Sequence, residues 1–125
     1  MRILLDTHIL LWTLADSSRL SKQARQLINN ATEVYVSTAS YWELAIKINL
    51  GKLNVDLDVL CQGVDDSGMI ELPISREHTL ATLNLPLHHK DPFDRLIVAA
   101  AMCEPMRLLS ADAVLKQYTE LVIHV

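Results

Sequence analysis

Short apolar runs recur along this chain, each followed by a longer segment whose apolar residues return at helical spacing, and this alternation restricts the fold more than any other feature. Arg2 to Leu5 closes on Asp6 and suits a buried parallel strand; His8 to Ala15 then carries the helical period. Ser21 caps a helix over Lys22 to Asn30, and Glu33 to Ser37 reads as a second strand. A further helix begins near Ala39 and runs through Ile48 to a stop at Gly51. Val55 to Gly68 is one amphipathic helix, Met69 to Leu72 a third strand, Arg76 to Leu83 a helix and Pro86 to Lys90 a loop. Asp91 as cap and Pro92 at the first helical position open a strongly apolar helix ending at Cys103. Arg107 to Leu109, Ala113 to Tyr118 and Leu121 to Ile123 follow as strand, helix and strand. Strands alternating with helices predict an α/β fold, a mostly parallel central sheet flanked by helices on both faces.

With 125 residues, 50% of them apolar, residues 1–125 are expected to form a single domain with a substantial core. No stretch approaches the roughly 20 apolar residues of a membrane span, and the run Ile3 to Leu5 meets Asp6 too soon for a signal-peptide core. The expectation is a soluble cytoplasmic protein with no membrane partner. Cys61 and Cys103 lack metal-ligand spacing and read as buried reduced thiols.

The formal charge of −4 excludes a protein that grips nucleic acid over a broad basic surface. A metal-dependent nuclease escapes that exclusion if its acids converge in one pocket, where bound cations reverse the local field. In a parallel sheet the ligand site lies outside the carboxyl ends of the strands. Asp6 ends the first strand, and Asp112 follows the Arg107 strand by way of Ser110 and Ala111. Asp94 lies in the first turn of the helix feeding that strand, and Glu43 lies early in the helix after the second. Four carboxylates could share one rim, as hard-oxygen ligands for Mg²⁺ or Mn²⁺.

Each acid also has a purely structural use. Asp94 fits the acidic partner of a capping box opened by Asp91, and Glu43 stands four residues before Lys47 in the favourable orientation for a helix ion pair. Asp112 fits the cap of the Ala113 helix, as Asp91 fits the cap of its own. His8, His88 and His89 lack the H-E-x-x-H arrangement, and two adjacent histidines cannot both face one side of a helix. Asp56, Asp58, Asp65 and Asp66 miss the calcium-loop pattern and read as a solvated helix face. Trp12, Trp42 and Phe93 fit either base stacking or packing.

Leu4-Leu5-Asp6-Thr7-His8, Ser37-Thr38-Ala39-Ser40-Tyr41-Trp42-Glu43-Leu44, Asp91-Pro92-Phe93-Asp94-Arg95-Leu96-Ile97 and Leu109-Ser110-Ala111-Asp112, in this order, resemble the PIN-domain family. The likeness spans essentially the whole chain and is greatest to the VapC-type toxin ribonucleases of bacterial toxin/antitoxin pairs. It implies a metal-dependent endoribonuclease with Asp6, Glu43, Asp94 and Asp112 as its acidic quartet. Asp6, Asp94 and Asp112 would hold Mg²⁺ or Mn²⁺, and Glu43 would act through water. Thr7 and Ser110 match hydroxyl positions that orient water or a carboxylate. The resemblance further implies an RNA substrate, with transfer RNA the family-level expectation, a homodimer, and a cognate antitoxin whose C-terminal segment blocks the pocket.

Two other readings share this pattern. A receiver-type phosphoryl-transfer module would need a phosphoacceptor Asp after the central strand and a later Lys, where this chain has Leu72-Pro73-Ile74 and Leu109-Ser110-Ala111. A catalytically inactive PIN-like protein-binding module would keep the fold without the chemistry.

Overall fold

Arg2–Leu5 (β1) forms the middle of a five-stranded sheet, with every neighbouring pair parallel. The computed structural model describes residues 1–125. Glu33–Ser37 (β2) and Ile70–Leu72 (β3) extend the sheet on one side of β1, and Arg107–Ser110 (β4) and Val122–His124 (β5) extend it on the other. The order β3-β2-β1-β4-β5 reverses direction at β1, since β2 leaves it one way and β4 the other. This reversal creates the crevice at the carboxyl edge where α/β sheets bind ligands.

The helices are Thr7–Leu14 (α1), Lys22–Asn30 (α2), Thr38–Asn49 (α3), Leu57–Asp66 (α4), Arg76–Ala81 (α5) and Pro92–Cys103 (α6). Because successive strand side chains point to opposite faces, Ile3 and Leu5 pack with Ile9, Leu10, Ala24, Leu60 and Val64, while Leu4 packs with the α6 residues Ile97 to Ala101. The two apolar layers cover the two faces of the sheet, as the continuous apolar character of β1 requires. Gly51, at φ 70°, follows the end of α3 in the left-handed conformation, the glycine stop the sequence predicts.

Several details differ from expectation. Thr7 already belongs to α1, because the Asp6 side chain accepts from Ile9 N and caps the helix one residue early. The acidic segment spans only Leu57–Asp66, since Asp56 accepts from the backbone of Asp58 and Val59 and starts the helix there. The residues after α5 tighten into a 3₁₀ turn at Thr82–Asn84, and Ala113–Gln117 is a 3₁₀ turn rather than an α-helix. A segment of five residues gains little from the longer α hydrogen-bond ladder. Cys61 and Cys103 are free thiols, as expected, but half-buried rather than enclosed.

Candidate active site

Three of the four predicted acids line one cavity of about 450 Å³ at the carboxyl edge of the sheet: Asp6, Asp94 and Asp112. Each arrives on a different element. Asp6 stands at the end of β1, its backbone N–H donating to Leu109 O of β4 and its carboxylate capping α1. Asp112 follows β4, with its own N–H donated to Ser110 Oγ and its Oδ1 accepting from Val114 N. Asp94 projects from the first turn of α6, which Asp91 opens by accepting from Phe93 N and Asp94 N. Asp91 is thus the cap, and Asp94 turns into the cavity.

Glu43 is not in that lining. It is 4% exposed and fully engaged: Thr7 Oγ1 donates to its Oε1 at 2.7 Å, and Lys47 Nζ donates to its Oε2 at 2.8 Å. The helix ion pair and the site assignment are therefore compatible, because Glu43 takes the Lys47 charge while lying close enough to raise the Asp6 and Asp94 carboxyls. Ser40 Oγ, 3.0 Å from Thr7 Oγ1, completes this buried polar layer.

The cluster strains against its own charge. Burial pushes the Asp94 carboxyl up to about 7, with Asp91, Asp6 and Glu43 adding to the rise. Burial also raises Asp6, against hydrogen bonds from Ser110 and Ile9. Carboxylates gathered in this way form an all-oxygen donor set, matched to a hard divalent cation that would restore their ionised form.

The sequence is matched by the family model described as the PIN domain over residues 3–121. The chain belongs to the PIN domain family. It is 31% identical over 119 residues to Ribonuclease VapC22 of Mycobacterium tuberculosis, covering 93% of this chain and 91% of that protein. Similar solved folds include VapBC2 from Rickettsia felis bound to a DNA fragment from their promoter, with TM-score 0.70, 18% identity and coverage of 98% and 96% of the two chains. A toxin-antitoxin complex from Klebsiella pneumoniae gives TM-score 0.69 at 20% identity, covering 97% of this chain and 95% of its counterpart.

In this PIN domain one histidine joins the acids. His89 Nε2 lies 2.9 Å from Asp112 Oδ2 and 3.4 Å from Asp94 Oδ2. Motif spacing sets it aside with His8 and His88, and no spacing rule recovers it. His88 packs its ring on Tyr118 at 5.1 Å while His89 turns to the acids, so the two neighbours diverge as expected. His8 lines the acid cavity together with Trp12 and Arg19. Asp56, Asp58, Asp65 and Asp66 are all exposed, the solvated face anticipated from sequence. No helix of the PIN domain is long and apolar enough to cross a membrane.

Proposed function

We propose that this chain is an endoribonuclease that hydrolyses RNA phosphodiesters, using Mg²⁺ or Mn²⁺ held by Asp6, Asp94 and Asp112. The observation that carries the reading is the convergence of these three carboxylates, from three separate elements, in one cavity of a PIN domain. The likeness to a ribonuclease favours RNA as the substrate.

A divalent cation in such a site polarises a phosphate oxygen and lowers the pKa of water. The chain's own residues supply the frame. Ile9 N holds Asp6, Ser110 Oγ and Val114 N hold the Asp112 segment, and Asp91 fixes the turn that presents Asp94. Glu43, paired with Lys47 and held by Thr7 behind this layer, would act only through water.

A second groove, lined by Thr7, Leu11, Leu44, Lys47, Lys52 and Leu53, shares His8, Trp12 and Arg19 with the acid cavity or its rim. Arg19 and Lys52 are exposed and make no ion pair with any carboxylate, which suits phosphates flanking the scissile bond. Trp12 supplies a ring on which an unpaired base could stack. This local basic flank reconciles RNA binding with the net charge of −4.

The same proposal makes the chain the toxin of a toxin/antitoxin pair. The apolar groove between α1 and α4, lined by Leu11, Leu14, Val55, Val59 and Leu60, would receive the antitoxin segment. A homodimer would cover exposed apolar residues such as Leu83 and Leu87.

The test is cleavage of total and transfer RNA by the purified, antitoxin-free protein with Mn²⁺, with Mg²⁺ and with chelator. Metal-dependent cleavage lost in folded Asp6→Asn and Asp94→Asn proteins is expected. Full activity in a folded Asp94→Asn protein would sink the assignment, and a folded wild type without cleavage or metal binding would leave a protein-binding module.

A further inference from the structure

His89 is held from every side. Its ring Nδ1 accepts from Asp91 N at 2.9 Å, so the proton of the neutral imidazole resides on Nε2 and points at Asp112 Oδ2, 2.9 Å away. Its backbone N–H donates to Tyr118 OH at 2.8 Å. Arg95, on α6 one residue past Asp94, reaches back to the same segment: Nη1 donates to Pro86 O at 2.9 Å, and Nη2 donates to Thr82 O at 3.0 Å and Leu85 O at 3.3 Å. Nη1 also lies 3.2 Å from Tyr118 OH, closing the network on the turn that follows Asp112.

Metal-ligating carboxylates are usually oriented by a hydrogen bond from a neighbouring group. Asp112 is the most exposed of the three acids, with its side chain 36% accessible, and needs such a partner most. Val114 N occupies one carboxylate oxygen and His89 the other, so the plane of the Asp112 carboxylate is set by two donors on different segments. The imidazole Nε2 also lies 3.4 Å from Asp94 Oδ2, and His89, Asp94 and Asp112 bring donor atoms within 4.8 Å of one another, so the ring stands between the two acids.

We infer that His89 is a positioning residue of the metal site, an Nε2–H donor that orients Asp112 toward Asp94 and does not itself coordinate the ion. The inference rests on the proposed nuclease reading and assigns the Thr82 to Asp91 connection, anchored by Arg95 and Tyr118, the task of delivering that donor. With Nδ1 occupied by the Asp91 amide, coordination through Nε2 would require the ring to give up its proton or its backbone partner.

The experiment compares Mn²⁺ binding by calorimetry and electron paramagnetic resonance in wild type, His89→Ala and His89→Gln. Glutamine can present its side-chain N–H near the imidazole Nε2 position, whereas alanine cannot. The expected result is Mn²⁺ affinity weakened about 10- to 100-fold in His89→Ala and largely restored in His89→Gln, as for removal and replacement of a group that orients a ligand. Nitrogen NMR of the metal-free wild type should show His89 as the Nε2–H tautomer. Unchanged or tighter Mn²⁺ binding by His89→Ala overturns the inference. So does a nitrogen hyperfine coupling of a coordinated imidazole in the Mn²⁺ spectrum that disappears in His89→Ala. If wild type binds no Mn²⁺ and cleaves no RNA, the nuclease reading fails and this inference with it; if wild type does both, a null result in the variants rejects the role of His89 alone.

Discussion

The Thr7 hydroxyl donates to Glu43 at 2.7 Å and so ties the start of α1, immediately after the Asp6 cap, to the second turn of α3. The bond joins the one acid outside the cavity to the residue that directly follows Asp6, an acid within it.

Removing that donor should cost stability as well as rate. Thr7→Val leaves a buried Glu43 oxygen short of a partner, an effect of about 1–3 kcal/mol measurable by urea denaturation. Glu43→Gln keeps the fold, loses the charge that Lys47 pairs with, and should slow RNA cleavage without abolishing it. A Glu43→Gln enzyme with wild-type rate would remove Glu43 from the chemistry.

Asp94 predicts the pH behaviour of the metal-free protein. Its folded-state pKa of about 7 exceeds the ordinary 3.8, so protonation favours the folded state. Its stabilising contribution is full below about pH 4 and is lost as pH rises through about 7. Thermal midpoints of the metal-free wild type should therefore fall between pH 5 and 8 by more than those of Asp94→Asn. Added Mn²⁺ should reverse the fall, with proton release on binding that calorimetry in buffers of different ionisation enthalpy detects. Parallel pH profiles for the two proteins would contradict this account.

Arg95 should resist replacement by lysine. Its planar fork serves Thr82, Leu85 and Pro86 carbonyls at once, which a single ammonium cannot do. Arg95→Lys is expected to destabilise the protein by about 1–3 kcal/mol in chemical denaturation and to weaken Mn²⁺ binding in the same direction as His89→Ala.

The basic flank predicts a salt effect. With an inactive Asp94→Asn background, single-stranded RNA affinity should fall in Arg19→Ala and Lys52→Ala. The slope of log affinity against log salt should decrease by about 0.7 for each phosphate the protein no longer neutralises. A double variant with an unchanged slope would show that the strand runs elsewhere.

Much of the site is legible in the sequence because its parts fall at element boundaries. Asp6 had to lie at a strand end whichever fold formed around it, and the Asp91-Pro92 opening fixes where Asp94 emerges on α6. The structural uses open to Asp112 and Glu43 both occur without removing either from the candidate site: Asp112 caps its turn and lines the cavity, and Glu43 pairs with Lys47 beside it. His89 is illegible for a different reason. It lies in an irregular connection with no periodicity, and its direction is set by the Asp91 amide, the Tyr118 hydroxyl and the Arg95 fork, interactions spanning up to 29 residues. The Ala113 segment misleads because a short run gives the same apolar pattern for a 3₁₀ turn and an α-helix.

Leu5 and Leu109 are partners in adjacent strands, so Asp6 meets the acid that follows β4 only after more than a hundred residues of intervening chain have been made and folded. Any shorter length of the polypeptide lacks Asp112 and the strand that leads to it. The proposed nuclease activity would therefore be absent from the growing chain until β4 has docked beside β1. Because that seam joins two buried central strands, it opens only with the sheet itself, so the geometry of the acids lasts as long as the fold does.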